Sequence, residues 1–163
     1  IITITMRRLL FILLGFSIMV IVIANYSNPS TPVFYSIKRL EEKIALNAAR
    51  NPSQKMYIYE QLLKRRYQEL REIAPKNELS LIYVSSSRYR TTIGEFIKIA
   101  TQNSQKNYQE DVKSTLFQYK LGLKEAHDYL LNKYGVMSSL DQRKAIQEAM
   151  DASDIYSSLL RKE

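Results

Sequence analysis

The one histidine of the chain, His127, sits in Glu125-Ala-His-Asp128, where a carboxylate stands ready to orient an imidazole for proton transfer. General-base work also needs a nucleophile within hydrogen-bond reach, and no serine neighbour forms an evident dyad with this ring. Acid pairs occur at Glu41-Glu42, at Glu110-Asp111 and at Asp151 with Asp154. Glycoside hydrolysis needs two carboxylates facing each other across a cleft, one with its pKa raised by an apolar pocket. Residues adjacent or three apart on a helix do not make such a cleft. Asp151 and Asp154 by themselves offer a cation too few oxygens. The chain has no cysteine, which removes thiolate metal sites, disulfides and cysteine nucleophiles. A single histidine removes His-x-x-x-His metal pairs, and the four glycines form no phosphate-cradling loop. The expectation is a protein with no catalytic residue, no metal and no cofactor, and so not an enzyme.

Tyrosine is the more unusual resource. There are twelve, and Tyr26, Tyr35, Tyr57, Tyr59, Tyr67, Tyr83 and Tyr89 crowd the basic half of the chain. Tyrosine beside arginine suits recognition of sugars, peptides or another helix by stacking and hydrogen bonding. The plainer reading is that tyrosine stands in for Phe and Leu at the edges of a small core. Tyr59, Tyr67, Tyr89 and Tyr119 favour it, because they fall on apolar stripes.

Those stripes define the elements. Phe34, Ile37, Leu40, Ile44 and Ala48 mark one face of a first helix over 33–49. Asn51-Pro52 fits a helix start, with Asn as the cap and Pro at the first helical position. The helix that follows, 52–73, carries Met56, Tyr59, Leu63, Tyr67, Leu70 and Ala74 on one stripe and ends at Pro75. The short connection between these two helices predicts an antiparallel hairpin. A third helix, 78–102, has Leu79, Ile82, Ser86, Tyr89, Ile93, Phe96 and Ala100 in phase, with Ser86 marking a close helix crossing. A fourth, 105–134, repeats the rhythm with Val112, Leu116, Tyr119, Leu123, Ala126 and Leu130, and Gly135 fits its stop. Ser139-x-x-Gln142 resembles a capping box opening a fifth helix with Ala145, Ala149, Ala152, Tyr156 and Leu159. The expected class is all-α, a compact bundle of about five amphipathic helices in hairpins over 33–163.

Ahead of the bundle stands a segment of a different kind. Arg7 and Arg8 precede sixteen residues without a charge, LLFILLGFSIMVIVIA, running from Leu9 to Ala24. Apolar on every side, it reads as a signal peptide or a signal anchor over 1–24, with 25–32 as a polar, proline-containing spacer. Sixteen helical residues cover about 24 Å against a hydrocarbon core of about 30 Å, so retention needs help from Arg8 and Tyr26 at the interfaces. Val22-Ile23-Ala24 offers a cleavage site, and both fates stay open. Met6 looks like the natural start, with residues 1–5 an upstream extension. The two arginines hold the start in the cytoplasm and place everything after residue 25 outside.

The formal charge is +8, and it is uneven. Residues 36–98 carry 13 Lys and Arg against 7 Asp and Glu, whereas 99–163 carry nine of each. Such a surface suits contact with anionic lipid headgroups or wall polymers; the plainer reading is a solvated, basic helical face, and export argues against nucleic acid as a partner.

The stretch Pro32-Val-Phe-Tyr-Ser-Ile-Lys-Arg-Leu-Glu-Glu42 fits the pattern P-x-x-Y-x-x-K-R-x-x-E, and Arg65-Arg66-Tyr67-Gln68-Glu69-Leu70 follows in the next helix. Over residues 31–74 the chain resembles an uncharacterised family of exported bacterial helical domains of unknown function. The resemblance singles out Tyr35, Lys38, Arg39, Glu42, Arg65, Arg66 and Glu69 as an interaction or structural motif, and implies no reaction or ligand. Read physically, Tyr35 and Ile37 anchor the first helix while Arg39, Glu42 and Arg66 pair across the hairpin as exposed ion pairs, contributing about 0.2–1 kcal/mol each.

The sequence therefore predicts a non-enzymatic envelope protein, anchored through Leu9 to Ala24 or secreted, that works by contact with a protein or an envelope polymer. Two alternatives stand beside it: a small periplasmic-type helical chaperone or stress sensor, and a phage-type envelope-disrupting anchored coiled protein.

Overall fold

The computed structural model describes residues 11, 12, 14–20, 22, 32–76, 78–103, 106–135 and 140–160. The regular structure among them is all helical: α1 (Pro32–Ala48), α2 (Pro52–Ile73), a 3-10 turn (Ala74–Lys76), α3 (Leu79–Asn103), α4 (Lys106–Tyr134) and α5 (Leu140–Leu159). These bounds follow the sequence stripes closely. Pro32, read as the end of the spacer, is instead the first residue of α1. The remainder of the spacer lies outside the described residues, as does Ser139 of the expected capping box.

Local chemistry accounts for the helix ends. Asn51 has extended backbone angles and its side-chain oxygen accepts the Gln54 amide at 2.8 Å. Gln54 answers by accepting the Arg50 amide at 2.8 Å, a reciprocal cap that satisfies two otherwise orphaned donors. Pro52 follows at the position where its missing N–H costs nothing. Gly135 closes α4 with φ +53°, the left-handed turn that a side chain would strain.

The chain divides into two compact units, residues 1–45 and 46–163. In the first, helical residues of the leading segment carry exposed apolar side chains, Phe11 being 71% exposed. Among the described residues no helix is long and apolar enough to cross a membrane. Residues 9, 10, 13, 21, 23 and 24 of the expected anchor lie outside them.

The face of α1 is a correction. The residues expected to make its core stripe, Leu40 and Ile44, are 58% and 59% exposed, and Ala48 is exposed too. Buried instead are Tyr35, Lys38 and Glu42, on the opposite side of the helix. An i, i+3, i+7 set with one ring and two opposite charges takes the interior, and the aliphatic stripe faces outward.

The second unit holds the core. Leu63, Leu70, Ile82, Ile93, Leu116, Leu123, Leu130 and Ile146 form one contiguous apolar cluster with their neighbours. α2 packs along α3, α3 along α5, and α5 along α4. Contacts read in order give the directions. Glu60, Tyr67 and Arg71 of α2 meet Tyr108, Tyr119 and Glu125 of α4, so these two helices run the same way. Ser86, Arg90 and Gly94 meet Ala145, Glu148 and Tyr156, so α3 and α5 are also parallel. Ser86, flagged as the close crossing, donates its hydroxyl to the Ala145 carbonyl. Two stripe ends depart from expectation: Leu79 and Leu159 are exposed, and Leu160 is buried in place of Leu159.

One contact between α2 and α4 is unusually close. Tyr67 and Tyr119 stack with ring centroids 4.3 Å apart and planes 12° from parallel. The Tyr67 hydroxyl rests directly on Gly122, where an added Cβ would overlap it and lie 2.9 Å from its Cζ. Because the stack restrains the ring, Gly122→Ala is expected to cost about 1–3 kcal/mol in overpacking, offset by about 1 kcal/mol of helix propensity. Tyr67→Leu in the same chain should make that substitution neutral or stabilising. A four-protein urea-unfolding cycle measures the coupling; an equal effect of Gly122→Ala in both backgrounds would show that the contact is absent.

Candidate functional site

Two clusters of the sequence motif can be built from the residues upward. On α1, Lys38 is 2% exposed and its Nζ stands 5.8 Å from the centre of the Tyr35 ring. Its neighbour Arg39 donates to Glu42, one turn on, at 2.9 Å, with the carboxylate buried and the guanidinium partly in solvent. On α2, Arg66 donates to both oxygens of Glu69 at 2.9 and 2.7 Å, and the Arg66 side chain is 1% exposed. Arg65, one residue earlier, is half-buried.

The expectation of exposed ion pairs is corrected by these burials. Arg39 meets Glu42, and Arg66 meets Glu69, each within its own helix at i, i+3. A guanidinium–carboxylate pair in the interior is worth little as attraction alone, since desolvation offsets most of the Coulomb gain. Breaking it is another matter, because the buried Glu69 carboxylate loses its guanidinium.

The sequence model of a family described as Domain of unknown function (DUF5667) matches residues 31–120. The chain belongs to the DUF5667 family. The match takes in both motif clusters and continues through α3 into α4, well past residue 74, where the sequence resemblance ended. No curated protein matches this chain, and no solved structure does. The DUF5667 region thus brings a fold-level signature without a reaction attached to it.

A concavity of 710 Å³ opens between α3 and α5. The wall inside the DUF5667 match is α3, through Tyr83, Ser87, Arg90 and Thr91. The other wall is α5, through Glu148, Asp151, Ile155 and Tyr156. Arg90 and Glu148 form an ion pair across the floor. Asp151 accepts from Gln147 at 2.8 Å, and the Thr91 hydroxyl donates to the Ser87 carbonyl at 3.0 Å. Gly94 lets α3 come close to Tyr156: a Cβ there would lie 2.7 Å from the tyrosine oxygen. None of these groove residues belongs to the motif read from sequence. Their signal was a polar stripe at steps of three and four, beside the apolar stripe of each helix.

Other titratable residues singled out in the sequence have near neighbours of opposite charge. His127 is part-buried beside Asp128 at 3.3 Å, and the Asp128 carboxyl is held below its usual range chiefly by the hydrogen bond from Lys124. Asp154 accepts from Lys120 at 2.5 Å. Among the described residues no group of three or more His, Asp or Glu is placed to hold a metal ion. Burial raises the phenols of the core. Tyr108 is pushed up to about 12 by burial and by Glu60, whose carboxylate accepts its hydroxyl at 3.2 Å. Tyr119 is raised by burial and then by Glu60, and Tyr89 is raised most of all by burial.

Proposed function

We propose that this DUF5667 protein is a non-enzymatic contact domain of a bacterial envelope, tethered to or released from the membrane by its leading segment, and acting on a protein or an envelope polymer. The observation that carries the reading is the apolar surface of that segment. Phe11, Ile12, Leu14, Phe16, Ile18, Met19 and Val22 are all exposed, and the sequence holds no charge from Leu9 to Ile37. Exposed apolar area of this extent is stable in lipid and costly in water, at about 25 cal/mol per Å². Arg7 and Arg8 support an outer-side bundle by the positive-inside rule. Leu40 and Ile44 of α1 add further exposed apolar surface.

The basic half supports contact with anionic headgroups or wall polymers, with one refinement. Lys38 and Arg66 are interior, so the surface excess rests on exposed side chains such as Lys43, Arg50, Lys55 and Lys64.

The test is external protease on cells stripped of their outer layer, with a tag at the C-terminus. Digestion of the tagged bundle, and its loss from the membrane fraction when residues 9–24 are deleted, is the expected result. Full protection of the bundle in the stripped cells, with digestion only after lysis, would overturn the reading.

A further inference from the structure

The groove between α3 and α5 has the composition of a binding site rather than of a packing defect. At 710 Å³ it exceeds the 280 Å³ pocket between α4 and α5 and the 50 Å³ cleft beneath Tyr108. That volume falls in the range of small-molecule sites, roughly 300–1,000 Å³, and accommodates several linked sugar rings. Tyr83 is 62% exposed, and Ile155 on the opposite wall is also exposed, so both present apolar surface to an occupant. Between them the lining carries a donor, Arg90, and two carboxylate acceptors, Glu148 and Asp151.

Charge and hydration choose among occupants. Arg90 is compensated by Glu148, and Asp151 accepts from a neutral amide, so the lining carries one net negative charge. A phosphate-rich polymer would meet repulsion there, although the basic surface elsewhere attracts one. A partner helix would have to dehydrate the Arg90–Glu148 pair, and removing such a pair from water costs several kcal/mol. Hydroxyl groups replace water's hydrogen bonds without that loss, while the C–H faces of a pyranose lie flat on a tyrosine ring.

We propose that the α3–α5 groove binds a segment of neutral glycan, stacked on Tyr83 and hydrogen-bonded to Arg90, Glu148 and Asp151. Gly94 fixes the far wall, because the absence of a side chain there lets Tyr156 lie against α3. This names the polymer within the contact function proposed above, and its test is separate from location. It is a calorimetric titration of the purified full chain, held in a polyoxyethylene detergent, with a β-1,4-linked tetrasaccharide of N-acetylglucosamine.

Saturable binding is expected, weakened at least tenfold by Tyr83→Ala and by Asp151→Ala. Both changed side chains are on the groove surface, and circular dichroism of each variant confirms that the bundle is folded. Absence of heat at millimolar sugar overturns the proposal, as does binding that Tyr83→Ala leaves unchanged. Tighter binding of poly(glycerol phosphate) than of the neutral sugar, or of a basic peptide in a Tyr83-dependent way, assigns the groove to another ligand and also overturns it. A bundle that proves to be cytoplasmic while still binding the tetrasaccharide would sink the location and leave the groove standing.

Discussion

Arg66→Ala is expected to lower the unfolding free energy of the bundle by about 3–5 kcal/mol, the loss typical when one member of a buried ion pair is removed. The cause is what stays behind. Glu69 is 4% exposed, and without the guanidinium its carboxylate must stay charged in the interior or take up a proton. Against a total stability of about 5–15 kcal/mol for a domain of ordinary size, that is a large fraction. The companion variant separates the pair's net value from the cost of breaking it. Arg66→Met with Glu69→Leu replaces both charges by apolar groups of similar length, and should recover most or all of the stability. Urea unfolding of the three proteins, followed by far-ultraviolet circular dichroism, decides the matter. Should Arg66→Ala and the double variant unfold at the same urea concentration, within about 0.5 kcal/mol, Arg66 is a solvated surface charge after all.

The same pair shows where sequence reasoning reached and where it stopped. The stripes at three and four residues located the helices and most of the core, because an apolar face repeats along one element and needs no knowledge of its neighbours. Leu63, Leu70, Ile82, Leu116 and Leu123 are all interior as their spacing required. Arg66 lies in phase with Leu63, Leu70 and Ile73, yet its charge assigned it to the surface and Tyr67 took its place on the stripe. The ambiguity was physical: an arginine is interior when a carboxylate one turn away neutralises it, and Glu69 stands at that distance. On α1 the same rule inverted the whole helix, since Tyr35, Lys38 and Glu42 form a buried set that outranks Leu40 and Ile44.

The groove was invisible for a different reason. Arg90 and Glu148 are 58 residues apart, and they meet because α3 packs along α5. Amphipathic periodicity says which face of a helix is covered and nothing about which helix covers it. The tyrosine reading succeeded for part of its set: Tyr89 is a core residue, while Tyr83 is exposed on the groove wall.

Tyr89 allows that division to be measured. It is fully buried, and its hydroxyl shares a 2.9 Å hydrogen bond with Ser153 Oγ in which either oxygen can donate. Tyr89→Ala is expected to cost about 3–5 kcal/mol, as for other large aromatic truncations in a core. Tyr89→Phe keeps the ring and loses one hydrogen bond, at about 0.5–1.5 kcal/mol near pH 8. The two variants differ again in alkali. Burial raises the Tyr89 phenol well above its unfolded value of 10, more than the Ser153 bond lowers it. The folded state therefore holds this proton more tightly than the unfolded state does. The stability linked to it is fully present below pH 10 and declines as the pH climbs towards the folded value. Between about pH 8 and about pH 11 the wild-type chain should lose stability faster than Tyr89→Phe, and the gap between the two proteins should narrow. The lysines, which also titrate there, are common to both and cancel in the difference. A gap that stays constant across that interval would mean that the phenol is solvated, and with it that the centre of the α3–α5 interface is open to water.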